Sequence, residues 1–374
     1  MLEENTIAAC FDKLPEFRVE RTRRHKLIDA VFIGLCATIC GFDGWEEIEL
    51  FAKSKESWFR RFLELPNGIP SHDTIRRIFM HIDPEAFRQC FTDWVASLGI
   101  SLEGHQIAID GKTLRGSRSK AKGKQAIHMV SAWIGEHNLV IGQQKTEEKS
   151  NEITAIPKLL EQLVIKDTVI SIDAMGCQTA IAKQIMGQGG HYVFGLKGNQ
   201  GTLHEQVTDF FETAKAHNFH CVKYDDSQSV SGEHGRIEER HCVAISSDYI
   251  DASSRWPGIQ SAVAVYSNQL IDGEKHREVR YFISSLPPVA EQLSGIIRRH
   301  WGIENGLHWS LDVGFREDDC QIHSGYSAEN LAILRHMALY LVKQDETIKG
   351  GIARKRKLAG VDDRHLESIL FKTD

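Results

Sequence analysis

The chain has 374 residues, of which 41% are hydrophobic and 26% are charged, and both fractions are typical of folded soluble proteins. Collagen-like, low-complexity and disordered classes are therefore excluded, and the length allows about two or three domains. The 45 Lys and Arg residues against 51 Asp and Glu residues give a net charge of −6, so any contact with DNA must be local and not a matter of bulk charge.

The cysteines and the apolar segments indicate where such a protein works. The eight cysteines include no CxxC pair and no regular spacing, which predicts reduced, mostly buried thiols in a cytoplasmic protein. The most apolar run, 30–40, is about half as long as a bilayer-spanning helix, and the N-terminal residues lack the pattern of a secretory signal. We therefore expect no membrane partner.

Residues 1–100 are predicted to form a helical N-terminal domain. Apolar residues recur with a period near 3.6 over 26–40 and again over 45–63. Ser71 and the Asp83-Pro84 pair have the composition of helix starts, and the last helix is expected to end near Gly99. Arg76 and Arg77 on its third helix could contact a DNA backbone, and a solvated face is the alternative.

From His105 the pattern changes to that of short strands, with one helix before and one after the fourth strand. Three strands, a helix, a strand, a helix and a strand is the order of an RNase H-like mixed sheet. In that arrangement Asp110 and Asp173 would end neighbouring strands at the same edge. The predicted strands are 106–110, 127–134, 139–145, 168–173 and 191–196, and the predicted helices are 152–163 and 180–186.

The remaining chain is predicted to interrupt and then complete this α/β domain. A β-rich insertion over 205–288 would divide the catalytic domain into 101–204 and 289–345, and a basic C-terminal tail would cover 346–374. After a helix around 203–214, strands are expected at 237–246, 260–268 and 278–285, turns at Ser231-Gly232 and Asp272-Gly273, and helices at 289–313 and 327–342.

Three carboxylates are the candidates for chemistry. Asp110 and Asp173 each follow an apolar run and precede a glycine-containing turn, although either one alone is more often a capping residue. On a helix, Glu304, His308 and Asp312 would be spaced i, i+4 and i+8 and would share one face.

Two tryptophans flank this helical face, Trp301 and Trp309. The alternative for the face is a solvated set of ion pairs, which the neighbouring indoles disfavour. We expect at least one of the two tryptophans to pack in the core behind the site. The other use of Trp301 would be stacking on an unpaired DNA base.

Carboxylates that meet at a sheet edge without cysteine partners suit a hard cation such as Mg²⁺ or Mn²⁺. Two such ions about 4 Å apart can activate an attacking water or 3′-hydroxyl and stabilise the leaving oxygen of a phosphodiester. Asp110, Asp173 and Glu304 are the predicted catalytic metal ligands, and Asp312 and Glu317 are the replacements to test. The sequence thus predicts metal-dependent phosphoryl transfer.

Positive charge lies close to these acids in the sequence. Residues 112–124 hold six Lys and Arg residues and no acid, which suits a polyanionic substrate, although a solvated loop is the alternative. For the arginines of 234–240 the alternative is ion pairing with Glu238 or Glu239. The predicted DNA contacts are Lys112, Arg115, Arg118, Lys120, Lys197, Asn199, Arg236, Arg240, Arg298, His300, Trp301 and His308.

Several long segments occur in a characteristic order: RRHKLIDAVFIGLCATICGFDGWEEIELF from residue 23, AIDGKTLRGS at 108–117, KSNEITAIPKLL at 149–160, SIDAMGCQ at 171–178, GHYVFGLKGNQ at 190–200, HGRIEER at 234–240 and HWGIENGLHWSLDVGFREDD at 300–319. Over nearly the whole chain they resemble the H-repeat-associated or ISAs-type insertion-sequence transposases of bacteria, which are DDE transposases of RNase H-like fold.

The resemblance implies a cut-and-paste DNA transposase with Asp110, Asp173 and Glu304 as its metal-binding triad and two Mg²⁺ or Mn²⁺ ions. Its partners would be terminal inverted repeats and target DNA, bound by a homodimer. The helical N-terminal domain, 1–100, and the β-rich insertion would hold the DNA ends. A related signature places a tyrosine and an arginine before the glutamate and a lysine after it. Here those places hold Ile297, His300 and Leu311, so the arginine's phosphate contact would pass to His300, Arg298 or Arg299.

Two alternatives stay open at this point. A domesticated or inactive copy would bind DNA without cutting it, although the three carboxylates are intact. An RNase H-like nuclease would cut without strand transfer, but it should not need such an elaborate N-terminal domain. Imperfect inverted repeats in the DNA that flanks the gene would favour a mobile element.

Overall fold

One nine-stranded mixed sheet organises the protein, and helices pack on both of its faces. The structure is a computed structural model that describes residues 6–118, 123, 125–147, 151–233, 236–271 and 274–371. The strand order is β3-β2-β1-β4-β5-β9-β8-β7-β6. The strands are β1 (Gln106–Leu114), β2 (Ile127–Ile134), β3 (Leu139–Lys145), β4 (Val169–Ile172), β5 (His191–Leu196), β6 (Tyr224–Glu233), β7 (Arg236–Ser246), β8 (Ser261–Ile271) and β9 (Glu274–Ser284).

The N-terminal helices confirm the predicted caps and the helix over 26–40, but the helical run expected over 45–63 is divided into two helices and ends at Phe59. They are α1 (Thr6–Phe11), α2 (Leu27–Cys40), α3 (Trp45–Ser54), α4 (Glu56–Phe59), α5 (His72–His81) and α6 (Pro84–Ser97). The Ser71 hydroxyl accepts a hydrogen bond from the N–H of Thr74, and the Asp83 carboxylate accepts one from the N–H of Ala86. Each cap therefore satisfies a backbone donor that the first helical turn leaves without a partner.

The first five strands follow the predicted order. β1, β2 and β3 form an antiparallel meander, whereas β4 is parallel to β1 and β5 is parallel to β4. The helices between them are α7 (Glu152–Glu161) and α8 (Thr179–Gly187). β1 differs from the prediction, because it continues through Asp110 to Leu114 while its pairing with β4 stops at Ile109.

The β-rich segment after α9 (Gly201–Ala216) extends the same sheet, because β9 pairs antiparallel with β5. A strand that the sequence did not reveal, β6, forms the far edge of the sheet and pairs with β7 along its length. The predicted turn at Ser231-Gly232 is wrong, because both residues pair with β7 inside β6. The predicted turn at Asp272-Gly273 lies outside the described residues.

The C-terminal helices join the two ends of the chain. They are α10 (Ala290–His300), α11 (Ser327–Gln344), α12 (Ile352–Val361) and α13 (Asp363–Phe371). α11 and α12 contact α2, whose residues are all buried, so N-terminal and C-terminal helices share one hydrophobic core. The segment predicted as a basic tail holds two of these helices, and within it Arg356 donates a hydrogen bond to the carbonyl of Thr38.

No single helix in the described ranges has the length and apolarity to cross a membrane, although α2 and α3, bent by 96° at their junction, have them in combination.

Candidate active site

Two aspartates meet at one edge of the sheet. The pairing of β1 with β4 ends at Ile109 and Ile172, and the next residues are Asp110, still inside β1, and Asp173, just after β4. The two aspartates are therefore neighbours, as predicted. The Oδ1 atom of Asp110 accepts a hydrogen bond from the N–H of Gly111 at 2.9 Å. The Oδ1 atom of Asp173 accepts hydrogen bonds from two N–H groups in the turn that follows β4, those of Met175 at 3.0 Å and Gly176 at 3.3 Å.

The surroundings of Asp110 and Asp173 disfavour the ionised forms of both carboxyl groups. Burial raises the pKa of Asp110 to about 7, and the charges of Glu152, Asp173 and Glu304 add to that rise, whereas the Gly111 N–H opposes it. Burial also raises the pKa of Asp173, where the Glu152 carboxylate acts in the same direction. A cation placed between these acids would relieve both the burial penalty and the repulsion.

A π-helix carries the third predicted acid. The expected helix over 289–313 is α-helical only to His300 and then becomes π-helical over Ile303–His308 and Ser310–Gly314. Glu304 is exposed on this segment. The Nδ1 atom of His308 lies 3.7 Å from Oδ2 of Asp110. Burial lowers the pKa of His308 to about 4, so this contact joins a carboxyl group to a neutral imidazole.

Glycines let this helix lie directly on an indole. A Cβ at Gly306 would come within 2.8 Å of the Trp133 ring, and one at Gly302 within 3.2 Å. Trp133 itself is buried on β2. The Lys343 ammonium donates hydrogen bonds to the Gly306 carbonyl at 2.6 Å and to the Asn138 side chain at 2.8 Å. The Glu304-bearing segment is thereby fixed against β2 and α11.

A fourth carboxylate, which the sequence analysis missed, lies at the same place. Glu152 is the first residue of α7 and is buried, and its Oε1 atom is 2.7 Å from Nε2 of His128 on β2. A Cβ at Gly111 would stand 2.1 Å from that Oε1 atom and 2.4 Å from that Nε2 atom. The signal in the sequence was a glycine inside a strand, which often marks a close approach of another group.

Lys112 does not have the role predicted for it. Its side chain is only 11% exposed, and its ammonium lies 2.7 Å from Asp312, 3.1 Å from Glu317 and 3.3 Å from Asp318. Burial tends to lower the pKa of Lys112, but the carboxylates of Glu317 and Asp312 raise it above its ordinary value. We therefore withdraw Lys112 as a DNA contact. The same ion pairs engage the two replacement acids, Asp312 and Glu317.

The histidine and arginines at the end of α10 divide into buried and exposed groups. The Nδ1 atom of His300 lies 3.0 Å from the Ser171 hydroxyl, and burial lowers the pKa of His300 to about 4. His300 thus packs against the sheet as a neutral group, which contradicts its predicted phosphate contact. Arg298 and Arg299 are both exposed, and Arg299 also donates a hydrogen bond to Gln106 at 3.0 Å.

Both tryptophans are accessible, so the expectation that one of them packs in the core is wrong. Trp301 is 37% exposed and Trp309 is 60% exposed. Trp301 follows the last residue of α10, and the Arg280 guanidinium lies 4.5 Å from the centroid of its ring. Trp133, from a different strand, fills the space beneath the helix that we had expected one of these indoles to occupy.

The remaining predicted DNA contacts have different surroundings. Arg118 and Lys197 are exposed, and Arg115 is exposed with Asp318 3.4 Å away. The exposed Asn199 donates a hydrogen bond to the carbonyl of Ala174 at 2.7 Å and so supports the turn after Asp173.

Two segments of the predicted DNA surface are only partly described. Lys120 lies outside the described residues, and Arg236 begins β7 with a side chain that is likewise not described. Arg240 is 3.0 Å from Glu238, which is the ion-pairing alternative stated above.

The residues of this edge fit a hard divalent cation by their chemistry. The four acids Asp110, Asp173, Glu152 and Glu304 offer only oxygen atoms, which Mg²⁺ and Mn²⁺ prefer. The Nε2 atom of His308 is buried with no hydrogen-bond partner among the residues described. Within the described ranges, no group of three or more His, Cys, Asp or Glu side chains is already spaced to hold a metal ion.

Comparison with known proteins finds two family domains. Residues 8–95 match the family described as DDE_Tnp_1-associated, and residues 103–341 match the family described as Transposase DDE domain. The chain is 42% identical to the H repeat-associated putative transposase YhhI of Escherichia coli K12 over 364 residues, which cover 96% of this chain and 95% of that protein.

Shorter and more distant similarities accompany this one. The inactive transposase YbfQ of Escherichia coli K12 is 39% identical over 64 residues, which are 17% of this chain and 76% of that protein. Among solved structures, a cryo-EM structure of the piggyBac transposase synaptic complex with hairpin DNA aligns with a TM-score of 0.45 and 12% identity, covering 98% of this chain and 77% of that one. A structural likeness this weak carries no argument about function.

The contact between the π-helix and Trp133 can be tested with one methyl group. Gly306→Ala should lower the free energy of unfolding by about 1–3 kcal/mol, because its Cβ would overlap the indole. Gly187→Ala is the matched control, since a Cβ there meets no atom within 4 Å. Urea denaturation of both variants measures the difference, and equal stabilities would show that the helix is not held by this contact.

The raised pKa of Asp110 predicts a pH-dependent effect of its neutralisation. A carboxyl whose folded-state pKa is about 7, against an ordinary value of 3.8, stabilises the fold only while it is protonated, and that contribution is lost as the pH rises through 7. Without divalent cations, Asp110→Asn should therefore be stabilising, and by up to about 2.5 kcal/mol more at about pH 8 than at about pH 5.

Chemical denaturation in EDTA at the two pH values measures this effect. Asp209→Asn, on the exposed side of α9, is the control and should change stability equally at both. A pH-independent effect of Asp110→Asn would show that the Asp110 carboxyl is not held in a repulsive, buried environment.

Proposed function

The chain belongs to the Transposase DDE domain family, and from this premise we propose that it is an insertion-sequence transposase that cleaves DNA at the element ends and joins the freed 3′-hydroxyl to target DNA. We also propose that β1 to β5 with their helices form an RNase H-like catalytic core, and that the protein acts on DNA as a homodimer in the cytoplasm. Element ends and target DNA are the proposed partners.

The proposal is supported by two aspartates on adjacent strands and by a third acid, from a distant segment, whose charge acts on one of them. Asp110 and Asp173 follow paired residues of adjacent parallel strands. Glu304 comes from the π-helix, and its charge acts on Asp110. A buried carboxyl such as Asp110, whose pKa is raised by neighbouring acids, is costly to the fold, and such groups are concentrated at catalytic sites.

The proposed cofactor is a pair of Mg²⁺ ions, for which Mn²⁺ could substitute, held by Asp110, Asp173 and Glu304. When bound, these ions would supply charge to activate the attacking oxygen and to stabilise the leaving oxygen. The protein's part is to orient the acids. Backbone N–H groups hold the Oδ1 atom of each aspartate, which leaves each Oδ2 atom directed away from those donors.

Positioning of the DNA strand falls to groups around the acids. Arg118 lies eight residues after Asp110, and the charge of Lys197 acts on Asp173. Both are exposed cations and are proposed to bind backbone phosphates, as is Arg115. The exposed ring of Trp301, already in contact with the Arg280 guanidinium, is proposed to stack on an unpaired base.

The triad is tested by substitutions that keep side-chain volume. Asp110→Asn, Asp173→Asn and Glu304→Gln should each lower the rate of DNA cleavage in Mg²⁺ by several orders of magnitude and leave DNA retention nearly unchanged. Glu291→Gln, an exposed glutamate at the start of α10, is the control and should cleave normally. Near-normal cleavage by one variant would remove that residue from the triad, and a wild-type chain that binds DNA without cutting would favour the inactive copy.

The proposed phosphate contacts predict a change in the salt dependence of binding. Arg115→Ala with Arg118→Ala should weaken DNA binding and flatten the log–log salt slope by up to about one unit per lost phosphate contact. Lys183→Ala, an exposed cation on α8, is the control. Filter binding at several salt concentrations measures the slope, and an unchanged slope would mean that these two arginines are merely solvated.

A further inference from the structure

Among the nearby acids, Glu152 and not Glu304 has the largest electrostatic effect on the two aspartates. Among the carboxylates whose charges add to the effect of burial in raising the pKa of Asp110, Glu152 acts more strongly than Asp173 or Glu304. At Asp173, too, Glu152 is the acid that adds to the effect of burial. The geometry also places Glu152 beside Asp110, because a Cβ on the next residue, Gly111, would stand 2.1 Å from its Oε1 atom.

The path of the strands explains how an α7 side chain reaches this edge. Neighbouring residues of a strand point to opposite faces, so Asp110 contacts His308 on one face while Gly111 is approached by Glu152 on the other. β4 ends at Ile172, but β1 continues to Leu114. On the β4 side of β1, no strand among the described residues continues beyond Ile172, so side chains from both faces of the sheet can meet there.

The surroundings of Glu152 hold its carboxylate in one orientation. Oε1 is bonded to Nε2 of His128, and the Nδ1 atom of that ring lies 2.9 Å from the Thr113 hydroxyl. The absence of a side chain at Gly111 is what makes room, since a Cβ would overlap both Oε1 of Glu152 and Nε2 of His128. With Oε1 occupied in this way, Oε2 is the oxygen left for another group.

We propose that Glu152, oriented by His128, is a further acidic residue of the catalytic centre and supplies a carboxylate oxygen to a divalent cation held with Asp110 and Asp173. This inference rests on the proposed function and deepens it. His128 is the positioning residue of the pair, because it acts through Glu152. Gly111 is required by the same arrangement, since any side chain there would displace the pair.

A purely structural role for the pair predicts a different result from a metal-binding role. If Glu152 only anchors α7 to β2, weakening its bond to His128 destabilises the protein whether or not metal is present. If Glu152 binds a cation, its negative charge repels Asp110 and Asp173 in the metal-free protein. Neutralising it would then leave metal-free stability unchanged or raised, while the stabilisation gained from the cation falls.

The experiment compares Glu152→Gln with wild type in the full-length chain, because glutamine keeps the volume and an oxygen that can accept from His128. Mn²⁺ is titrated and bound metal is followed by electron paramagnetic resonance, with Tm measured in EDTA and in Mn²⁺. Glu152→Gln should weaken Mn²⁺ affinity about tenfold or more and reduce the Mn²⁺-dependent rise in Tm, with a metal-free Tm equal to or above that of wild type. Glu161→Gln, an exposed glutamate at the other end of α7, should match wild type in every measurement.

Two results would overturn the inference, and they can be told apart from a failure of the proposed function. An unchanged Mn²⁺ affinity in Glu152→Gln, with or without a lowered metal-free Tm, would assign the pair a structural role. If Asp110→Asn then loses both Mn²⁺ binding and cleavage, the proposed function stands and only the role of Glu152 fails. A wild-type chain that binds no Mn²⁺ would overturn both.

Discussion

The parallel pairing of β1 with β4 is the constraint on which the candidate site depends. It places Ile109 beside Ile172, and the next residue of each chain is an aspartate. A slip of one residue in either strand would turn its aspartate to the opposite face. The meander of β2 and β3 on one side and the parallel β5, with its antiparallel neighbour β9, on the other keep both strands inside the sheet, where such a slip would break two ladders at once.

Ionised acids that lie close together in a partly buried site lower the stability of the fold, and the surrounding residues offset this loss. Backbone N–H groups that follow each aspartate, one inside β1 and two in the turn after β4, stabilise the ionised carboxylates. A second group of acids, Asp312, Glu317 and Asp318, stands close by, but the Lys112 ammonium engages all three. This lysine therefore offsets the negative charge of these three acids. Its position two residues after Asp110 in the same strand carries it to the face of β1 on which the π-helix lies.

The sequence was sufficient for features that depend on local patterns. Periodicity and caps located α2, α5 and α6, and alternation with turn residues located β2, β3 and β5 to within a residue or two. The adjacency of Asp110 and Asp173 followed from strand order alone. β6 was missed because DDSQSVSG, its polar sequence, belongs to an edge strand that buries little apolar surface. The fate of Lys112 was not foreseeable, because the acids that bury it come from a segment about 200 residues later in the chain.

Local patterns did not predict two close contacts at the site, but glycines inside a strand and a helix mark both contacts in the sequence. Gly111 interrupts a strand, and Gly302 and Gly306 are spaced four residues apart on the helix that carries Glu304. Each weakens its own element, so each implies a close approach that compensates for the loss. The structure identifies the approaching groups as the His128–Glu152 pair and the ring of Trp133. Because both groups come from β2 or the start of α7, the same meander that flanks β1 also positions the acids on either side of it.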